Sequence, residues 1–312
     1  MSVTASLHQA AEDTFNAVES LLLGKHEQVE LALVTLFAGG HLLLEDLPGM
    51  GKTTLAQSLS AALGLEHQRI QFTSDMLPAD ILGVSIFDTQ SSDFRFHPGP
   101  VFTQLLLADE INRTTPKTQS ALLEVMEEQQ VSIDGEVHRV DHPFFVIATQ
   151  NPQTQFGTFP LPESQLDRFL MRISLGYPSA ETEREILTQG DSRGRIAALR
   201  PTLDRSRLLA IQAECAKVHA APDLIDYLQR LLQFTRDSQA FHTGVSPRGG
   251  LALLRAARAR AWLKQRKYVV PEDIQQLLLP VLSHRIRSAD ERSDLSAQRL
   301  VSLLLDEVDV IR

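Results

Sequence analysis

A glycine-bearing turn that ends in Gly-Lys-Thr lies between an apolar run and an amphipathic stretch, in the segment HLLLEDLPGMGKTTLAQSLSAALG. Such a turn points successive backbone N–H groups at an anion and starts a helix whose positive end faces the same anion. Lys52 would reach the β- and γ-phosphates of a nucleotide, and Thr53 would hold Mg²⁺. We therefore predict a triphosphate cradle, and the alternative is an incidental turn before a helix. The residues assigned to the cradle are Asp46, Pro48, Gly49, Met50, Gly51, Lys52, Thr53 and Thr54.

One position of this turn departs from the general phosphate-loop pattern. That pattern has glycine five residues before Gly51, where this chain has Asp46. The flanking sequence nevertheless has the expected character. Leu42–Leu44 are typical of a buried parallel strand, and the leucines that recur every four residues from Leu55 predict the core face of a helix. Gly64 lies where that helix should stop.

Two further apolar runs end in polar residues. LLLADE delivers Asp109 and Glu110 to the carboxyl end of a predicted strand, where open α/β sheets bind their ligands. Asp109 would coordinate Mg²⁺, usually through water, and Glu110 would orient and deprotonate the attacking water. PFFVIATQNP ends in amides, and Asn151 would hydrogen-bond the γ-phosphate or the lytic water. A plain strand-to-loop boundary and an exposed turn asparagine before Pro152 are the alternatives.

Composition limits the class of protein. The 312 residues predict two domains, and 43% hydrophobic with 22% charged residues is ordinary for a globular chain. A net charge of −9 argues against a protein that grips nucleic acid mainly through phosphates. Cys215, the single cysteine, is predicted to be a small buried hydrophobe and fits a reducing compartment. We expect no signal peptide and no membrane span.

The pattern of the chain changes near residue 176. Up to about Leu175, short apolar runs alternate with helical patterns, as in parallel βαβ units. After Tyr177 and Pro178 the pattern is almost entirely helical, with Ser179 as a helix cap and QGDSRGR as a polar connector. The expected fold class is therefore α/β, with a parallel sheet flanked by helices in residues 1–176 and an all-helical domain in residues 177–312.

The order of these elements, followed by LPESQLDRFL and GVSPRGG, is the running order of the AAA+ ATPases. Within them the chain closely resembles the MoxR family from about His41 to Glu185. The resemblance includes an acidic residue at the position of Asp46. The matching segments are GHLLLEDLPGMGKT, RIQFTSDMLPADILG, FRFHPGPVF, LLLADEINRTTPKTQSALLEVMEE, FVIATQNP and FPLPESQLDRFL.

The resemblance implies an ATPase core with a helical lid, assembled as a ring with nucleotide at subunit interfaces. ATP and Mg²⁺ are the implied cofactors, and a hexamer is the expected ring. Arg168 resembles the arginine finger that reaches a neighbour's γ-phosphate, and Arg248 resembles the sensor-2 arginine, expected to cover the phosphates in cis. The alternatives are a surface arginine paired with Asp167 or Glu163 and an exposed arginine at a helix start capped by Ser246.

Two segments mark the branch of the superfamily. Residues 75–102 interrupt a helix start with alternating short strands, and this resembles the helix-2 insert of MoxR proteins and magnesium chelatase motor subunits. Asp134-Gly135 between alternating runs predicts a hairpin, which corresponds to the pre-sensor-1 hairpin. His138 and His142 would not share a helical face, so we do not expect a metal site there.

The leading hypothesis is a ring-forming cytoplasmic ATP hydrolase with a chaperone-like role in remodelling or maturing other proteins, including metal-cofactor insertion. A separate partner with a von Willebrand factor A domain and a client protein are implied. One alternative is a nucleic-acid motor, which the hairpin disfavours because it carries Asp134, Glu136, His138 and only Arg139. The other is a nucleotide-gated binding module that hydrolyses weakly.

Overall fold

The computed structural model describes residues 3–47, 49–90, 92–151, 157–190, 193–289 and 297–310. The helices are α1 Val3–Glu19, α2 His26–Phe37, α3 Lys52–Leu63, α4 Pro78–Leu82, α5 Pro116–Glu128, α6 Glu163–Leu166, α7 Ala180–Gln189, α8 Arg193–Ala198, α9 Arg205–Lys217, α10 Pro222–Asp237, α11 Pro247–Leu263, α12 Pro271–Leu282 and α13 Ala297–Glu307. The strands are β1 His41–Glu45, β2 His67–Gln71, β3 Gly83–Asp88, β4 Asp93–Pro98, β5 Leu105–Asp109, β6 Gln130–Ile133, β7 Glu136–Arg139, β8 Phe145–Gln150, β9 Phe169–Ile173, β10 Phe241–Thr243 and β11 Arg287–Ser288.

The main sheet has five strands in the order β2-β5-β8-β1-β9, and every neighbouring pair is parallel. The apolar runs form its buried centre, because strands covered on both faces have near-continuous hydrophobic sequences. Parallel pairing places all five carboxyl ends at one edge of the sheet. We call this the carboxyl edge, and the opposite one the amino edge. The predicted α/β fold with a parallel sheet is confirmed.

Hydrophobic side chains pack on both faces of the sheet. The smaller core lies under α5 and the segment around Ile81. The larger core runs from α1–α3 into α9–α12, so helices from both ends of the chain share it. The ring of Phe37 meets that of Trp262 edge-on at 5.9 Å, and Gln212 Nε2 donates to Leu36 O at 2.8 Å. Hydrophobic packing is therefore continuous across residue 176.

Several helices begin and end at the capping residues that the sequence predicted. The Ser179 and Ser246 hydroxyls accept backbone N–H groups at the starts of α7 and α11. Gly64 ends α3 in the left-handed conformation. Cys215 is buried, and desolvation raises the pKa of its thiol to about 12. The expectation of a connector over residues 189–195 is wrong in part, because residues 193–195 begin α8.

Two antiparallel hairpins project from the α/β part. β3 and β4 form the first, in the predicted insert, and β6 and β7 form the second. Asp134 and Gly135 both have positive φ, as a two-residue type I′ turn requires. The Phe96 ring stacks on the His138 ring at 4.0 Å, which joins the hairpins. Within the described residues, none of the helices combines the length and apolar character needed to cross a bilayer.

Candidate nucleotide-binding site

The glycine turn joins β1 to α3 at the carboxyl edge of the sheet. Gly49 and Gly51 have φ of +86° and +90°, which side chains other than glycine adopt at a cost. Lys52, Thr53 and Thr54 form the first turn of α3, so the positive end of this helix faces the turn. Met50, in the same turn, packs against the larger core, and Pro48 lies outside the described residues.

Oxygen atoms surround the side chain of Lys52. Its ammonium donates to the main-chain oxygen of Asp46, to Asn151 Oδ1 at 3.2 Å and to Gln150 O at 3.5 Å. Burial lowers the pKa of Lys52, and the carboxylates nearby oppose that shift, with Asp46 first and then Asp109 and Glu110. A cation in this position is suited to a phosphate group entering the turn.

Asp109 ends β5 and is buried. Arg69 on β2 pairs with its Oδ2, from Nη2 at 2.7 Å and Nε at 2.8 Å, while the Thr149 hydroxyl donates to Oδ1 at 3.1 Å. Sequence reasoning missed both partners. The strand pattern carries no signal for them, because it does not show which side chain of a neighbouring strand reaches Asp109.

The donor set fits Mg²⁺, which takes oxygen ligands and usually keeps several waters beside one or two carboxylates and the substrate phosphates. The Thr53 hydroxyl and the Asp109 carboxylate are such ligands. In the part of the chain that the structure describes, no group of three or more histidine, cysteine or acidic side chains is arranged to hold a metal ion. Phosphate and water oxygens would have to complete the coordination.

Glu110 and Asn151 meet at the tips of two neighbouring strands. Asn151 Nδ2 donates to Glu110 Oε1 at 3.3 Å, while its Oδ1 accepts from Lys52. Glu110 has φ of +56°, and its amide donates to the Thr149 hydroxyl at 2.9 Å. The Asn151 carbonyl accepts from Asn112 Nδ2 at 3.0 Å. The Lys52, Asn151 and Glu110 side chains thus form one hydrogen-bonded chain.

A cavity of about 360 Å³ opens beside the glycine turn. Its walls come from the loop that follows α1, from the glycine turn, and from the segment that follows β9 into α7. Apolar side chains dominate the walls, as is usual in sites that take a flat organic group. Leu21, Leu22, Tyr177, Pro178, Ile186 and Leu187 are among them. Sequence reasoning did not assign these residues.

The Asp46 carboxylate binds a segment from another part of the chain. It accepts the Ser174 hydroxyl at 3.0 Å, the Gly176 amide at 3.2 Å and the Leu175 amide. These donors belong to the segment between β9 and α7. Asp46 therefore contributes a main-chain oxygen to Lys52, and its side chain is engaged elsewhere.

Arg168 and Arg248 lie together at the amino edge of the sheet. Glu127 Oε2 accepts from Arg168 Nε at 2.8 Å, and Glu127 Oε1 accepts from Arg248 Nη1 at 3.2 Å. Arg168 directly precedes β9, whose first residue pairs with His41, the first residue of β1. Five residues of β1, at roughly 3.3 Å each, separate this edge from the glycine turn. The expectation that Arg248 covers its own chain's phosphates is therefore wrong in this structure.

Packing of the lid explains the position of Arg248. The buried side chain of Arg285, just after α12, donates to Asp167 Oδ1 at 2.6 Å and to the Phe169 carbonyl at 2.8 Å. Arg248 Nε lies 3.6 Å from Asp167 Oδ2. These contacts hold the lid against the start of β9. The start of α11 therefore faces the amino edge.

Positive charge is in excess around this cluster. Arg168, Arg248 and Arg285 pair with two carboxylates, Glu127 and Asp167. A fourth arginine, Arg255, is a like-charge neighbour of Arg248 and Arg285. The hydrogen bond from Arg168 is the main cause that lowers the pKa of Glu127. Burial and then the neighbouring Arg248 lower the pKa of Arg255. A cluster of this sign is suited to an anion from outside the chain.

Comparison with known proteins identifies the family. Residues 41–171 match the model of the ATPase family associated with various cellular activities (AAA), and residues 233–303 match the AAA lid domain. The uncharacterized protein YeaC of Bacillus subtilis is 41% identical over 99% of this chain and 98% of its own length. Chaperone MoxR1 of Mycobacterium tuberculosis is 40% identical over 91% of this chain and 77% of its own length.

Two further comparisons agree. Protein MoxR of Paracoccus denitrificans is 33% identical over 89% of each chain. A crystal structure from Cytophaga hutchinsonii superimposes with a TM-score of 0.90 at 33% identity, over 99% of this chain and 97% of that one. The chain therefore belongs to the MoxR family of AAA+ ATPases.

Proposed function

We propose that this protein is a ring-forming ATP hydrolase that couples hydrolysis to the remodelling or maturation of partner proteins. The observation that carries the proposal is the hydrogen-bonded chain from Lys52 through Asn151 to Glu110. It joins a phosphate-binding cation to a carboxylate suited to activate water. In an ordinary strand-end cluster these three groups would have no reason to converge beside a glycine turn.

ATP would bind along the carboxyl edge. The backbone amides of the glycine turn and Lys52 would hold the phosphates, and the apolar cavity would take the base. Mg²⁺, held by Thr53 and Asp109 with phosphate and water oxygens, would neutralise charge on the β- and γ-phosphates. The Arg69 pair with Asp109 would loosen or turn outward as the metal is bound, because both compete for one carboxylate.

Hydrolysis requires a water in line with the γ-phosphate. Glu110 would accept its proton, and Asn151 would hold both the Glu110 carboxylate and the Lys52 ammonium in register. The left-handed backbone of Glu110, fixed by the Thr149 hydroxyl, sets the direction of this carboxylate. The chain's own residues therefore supply the base and its orientation.

Arginines of a second subunit would stabilise the negative charge that develops on the γ-phosphate during hydrolysis. Arg168 and Arg248 lie a strand's length from their own glycine turn, so neither reaches its own site in this arrangement. A ring, expected to be a hexamer, would place the amino edge of one subunit against the carboxyl edge of the next. We therefore assign both arginines a role in trans.

The two hairpins would contact the client protein. Phe87 and Phe94 are 50% and 67% exposed and pair edge-to-face at 5.3 Å, and Val137 on the second hairpin is also exposed. Exposed apolar groups beside acidic ones favour a polypeptide over a nucleic acid backbone. A separate protein with a von Willebrand factor A domain is the proposed partner, metal-cofactor insertion is one proposed role, and the cytoplasm is the proposed location.

The test measures ATP hydrolysis together with subunit assembly. Parent protein should hydrolyse ATP and form a ring with nucleotide, observed by native mass spectrometry. Glu110→Gln should bind ATP and assemble without turnover, while Glu124→Gln, an exposed carboxylate change on α5, should behave like the parent. A parent protein that neither binds ATP in calorimetry nor assembles with it would overturn the proposal.

A further inference from the structure

The segment between β9 and α7 is held by two oppositely charged side chains. Asp46 accepts the Leu175 and Gly176 amides on one side. On the other side, the buried Lys25 ammonium donates to the carbonyls of Leu175 at 2.6 Å, Gly176 at 2.9 Å and Tyr177 at 3.1 Å. The three donors of an ammonium group are thus matched by three carbonyls. We call residues 174–178 the linker.

A single peptide group lies between these charges. The bond that joins Leu175 to Gly176 has its carbonyl on Lys25 and its N–H on Asp46. Because the two ends of a trans peptide point in opposite directions, the cation and the carboxylate bind opposite poles of one dipole. Hydrogen bonds to charged groups are stronger than those between neutral groups. Gly176 has φ of +62°, a conformation that glycine adopts without strain.

The same linker forms a wall of the cavity beside the glycine turn. Tyr177, Pro178 and Lys25 line the cavity together with Gly49 and Gly51. The linker also leads directly into α7, which continues that wall. The position of the linker therefore decides both the shape of the cavity and the path of the chain into the helical part.

Asp46 connects this linker to the phosphate-binding lysine. Its main-chain oxygen accepts from Lys52, while its side chain holds Leu175 and Gly176. Its amide donates to Gln150 O at 3.4 Å, beside the Asn151 tip. One residue therefore contacts the cation that would meet the phosphates and the segment that leads to the lid. Glycine, which the general phosphate-loop pattern has here, could make only the main-chain contacts.

We infer that Asp46 is a positioning residue that fixes the core-to-lid linker beside the phosphate loop, so that the nucleotide cavity is formed before ATP enters. Lys25 is its counterpart on the other side of the linker. The inference rests on the proposed function, because the cavity is taken to receive ATP. It also supplies a physical reason for aspartate at this position. A preformed wall lowers the ordering cost that binding would otherwise carry.

We call the Asp46 and Lys25 contacts with the linker the clamp, and the first experiment tests it without nucleotide. Hydrogen exchange resolved to single amides is measured for Leu175 and Gly176 in the parent and in Asp46→Gly. Exchange should accelerate about 10- to 100-fold, the range that corresponds to losing a hydrogen bond to a charged group. Asp46→Asn keeps one acceptor oxygen and should give an intermediate rate. Unchanged exchange in both folded variants would overturn the inference.

A matched control is available one residue earlier. Glu45 ends β1, and its carboxylate pairs with Arg172 of β9 at 2.9 Å, whereas the linker amides donate to Asp46. Glu45→Gln should therefore leave the exchange of Leu175 and Gly176 at the parent rate. Equal acceleration in Glu45→Gln and Asp46→Asn would show a general loosening of this edge and would overturn a specific role for Asp46.

The second experiment tests the link to nucleotide. In the Glu110→Gln background, which should bind ATP without turnover, Asp46→Gly should weaken the calorimetric Kd for ATP about 10-fold, and so should Lys25→Met. The double variant should be no weaker than the poorer single variant, because both changes release the same peptide group. Additive losses, or an unchanged Kd with accelerated exchange, would overturn the inference. If the parent fails to bind ATP, the proposed function fails, and the exchange experiment still tests the clamp.

Discussion

The amide of Asn151 bridges the two charged groups of the candidate site, with Nδ2 donating to Glu110 Oε1 at 3.3 Å and Oδ1 accepting from Lys52 at 3.2 Å. An asparagine can do this because it carries a donor and an acceptor on one planar group. A carboxylate at this position would repel Glu110, and an apolar side chain would leave Lys52 without a side-chain acceptor. Lys52 is therefore assigned to phosphate binding and Glu110 to catalysis, with Asn151 between them.

We expect Lys52→Ala to lose tight ATP binding, because it removes the cation that would contact the β- and γ-phosphates. Glu110→Gln should keep ATP binding and lose about 10²- to 10⁴-fold in turnover, since water activation fails. Calorimetry and a phosphate-release assay separate the two outcomes. Turnover by Glu110→Gln at the parent rate would show that another group is the base.

Asn151→Ala should resemble neither variant. ATP should still bind, because Lys52 keeps its main-chain acceptors, but turnover should fall about 10-fold or more as Glu110 loses its orienting partner. Gln150→Ala, one residue earlier on the same strand, is the matched control because only its main chain contacts Lys52. Parent-like turnover in Asn151→Ala would exclude the bridge from the mechanism.

Protonation of His41 should destabilise the fold in mild acid. Val146 N–H donates to His41 Nδ1 at 3.1 Å and Nε2 faces the Met126 carbonyl at 3.2 Å, so the neutral ring is satisfied at both nitrogens. Burial is the main cause that lowers the pKa of His41 to about 4. Because the unfolded chain then binds the proton more tightly, this stability is present above the ordinary histidine pKa and is lost as pH falls toward 4.

The expected loss from His41 is about 2 kcal/mol between pH 7.5 and pH 5. It is measured by urea unfolding at the two pH values. His41→Gln should show a smaller decrease than the parent, and His67→Gln, at an exposed position of β2, should show the parent's decrease. Equal pH sensitivity in all three proteins would rule out His41 as a source of the effect.

The hairpins should be separable from the nucleotide site. We expect removal of the β3–β4 loop TQSSD, or the double change Asp134→Lys with Glu136→Lys, to leave the calorimetric Kd for ATP unchanged. Both should weaken stimulation of hydrolysis by an unfolded polypeptide such as casein. Asp93 belongs to the first hairpin and Glu136 to the second, and Asp134 is in the turn of the second, while Ser91 lies outside the described residues. Loss of ATP binding in a folded variant would contradict this separation.

The carboxyl edge could be predicted from sequence because parallel strands must end together. An apolar run of strand length precedes each of the four predicted site residues, Lys52, Asp109, Glu110 and Asn151. The local pattern of the sequence was therefore sufficient to predict that they lie at one edge. Partners that depend on side-chain direction could not be predicted in this way. Arg69 is an example, because nothing in the pattern of β2 pairs it with Asp109.

The lid shows the other limit of sequence reasoning. The capped start of α11 was predictable, but the direction that it faces is set by packing far from it in the chain, through Arg285 on Asp167 and the shared core of α2, α9 and α11. The expected cis role of Arg248 failed for this reason. Asp46 is similar, since its carboxylate bonds donors about 130 residues further along the chain.

The final prediction concerns Arg168 and Arg248 across a subunit interface. A cation that meets transition-state charge contributes about 10³ to 10⁵ in rate, so Arg168→Ala should bind ATP yet hydrolyse it far more slowly. Arg248→Ala should behave in the same direction, because Glu127 holds both arginines at one edge. Arg287→Ala, an exposed arginine paired with Glu163 at 2.6 Å, is the matched control and should keep parent turnover.

Mixing variants distinguishes cis from trans action. Lys52→Ala lacks a competent phosphate site but keeps both arginines, whereas Arg168→Ala keeps the phosphate site. Neither should hydrolyse ATP alone, and a mixed ring should recover partial activity, as should a mixture of Lys52→Ala with Arg248→Ala. Subunit exchange is checked first by native mass spectrometry. Because a cis residue cannot be complemented by a neighbour, recovery with one arginine variant and not the other would assign the unrecovered arginine to its own site.

A mixture that does not recover activity has a second explanation. The subunits of the ring can be coupled so tightly that a single competent interface does not hydrolyse ATP. Arg168→Lys distinguishes the two explanations, because lysine keeps the charge but lacks the planar fork that matches phosphate oxygens. With a trans finger, Arg168→Lys should assemble like the parent and hydrolyse between the parent and Arg168→Ala. Parent turnover in both Arg168 variants would leave Arg168 as an ion-pair partner of Glu127 and would end its assignment to the neighbour's site.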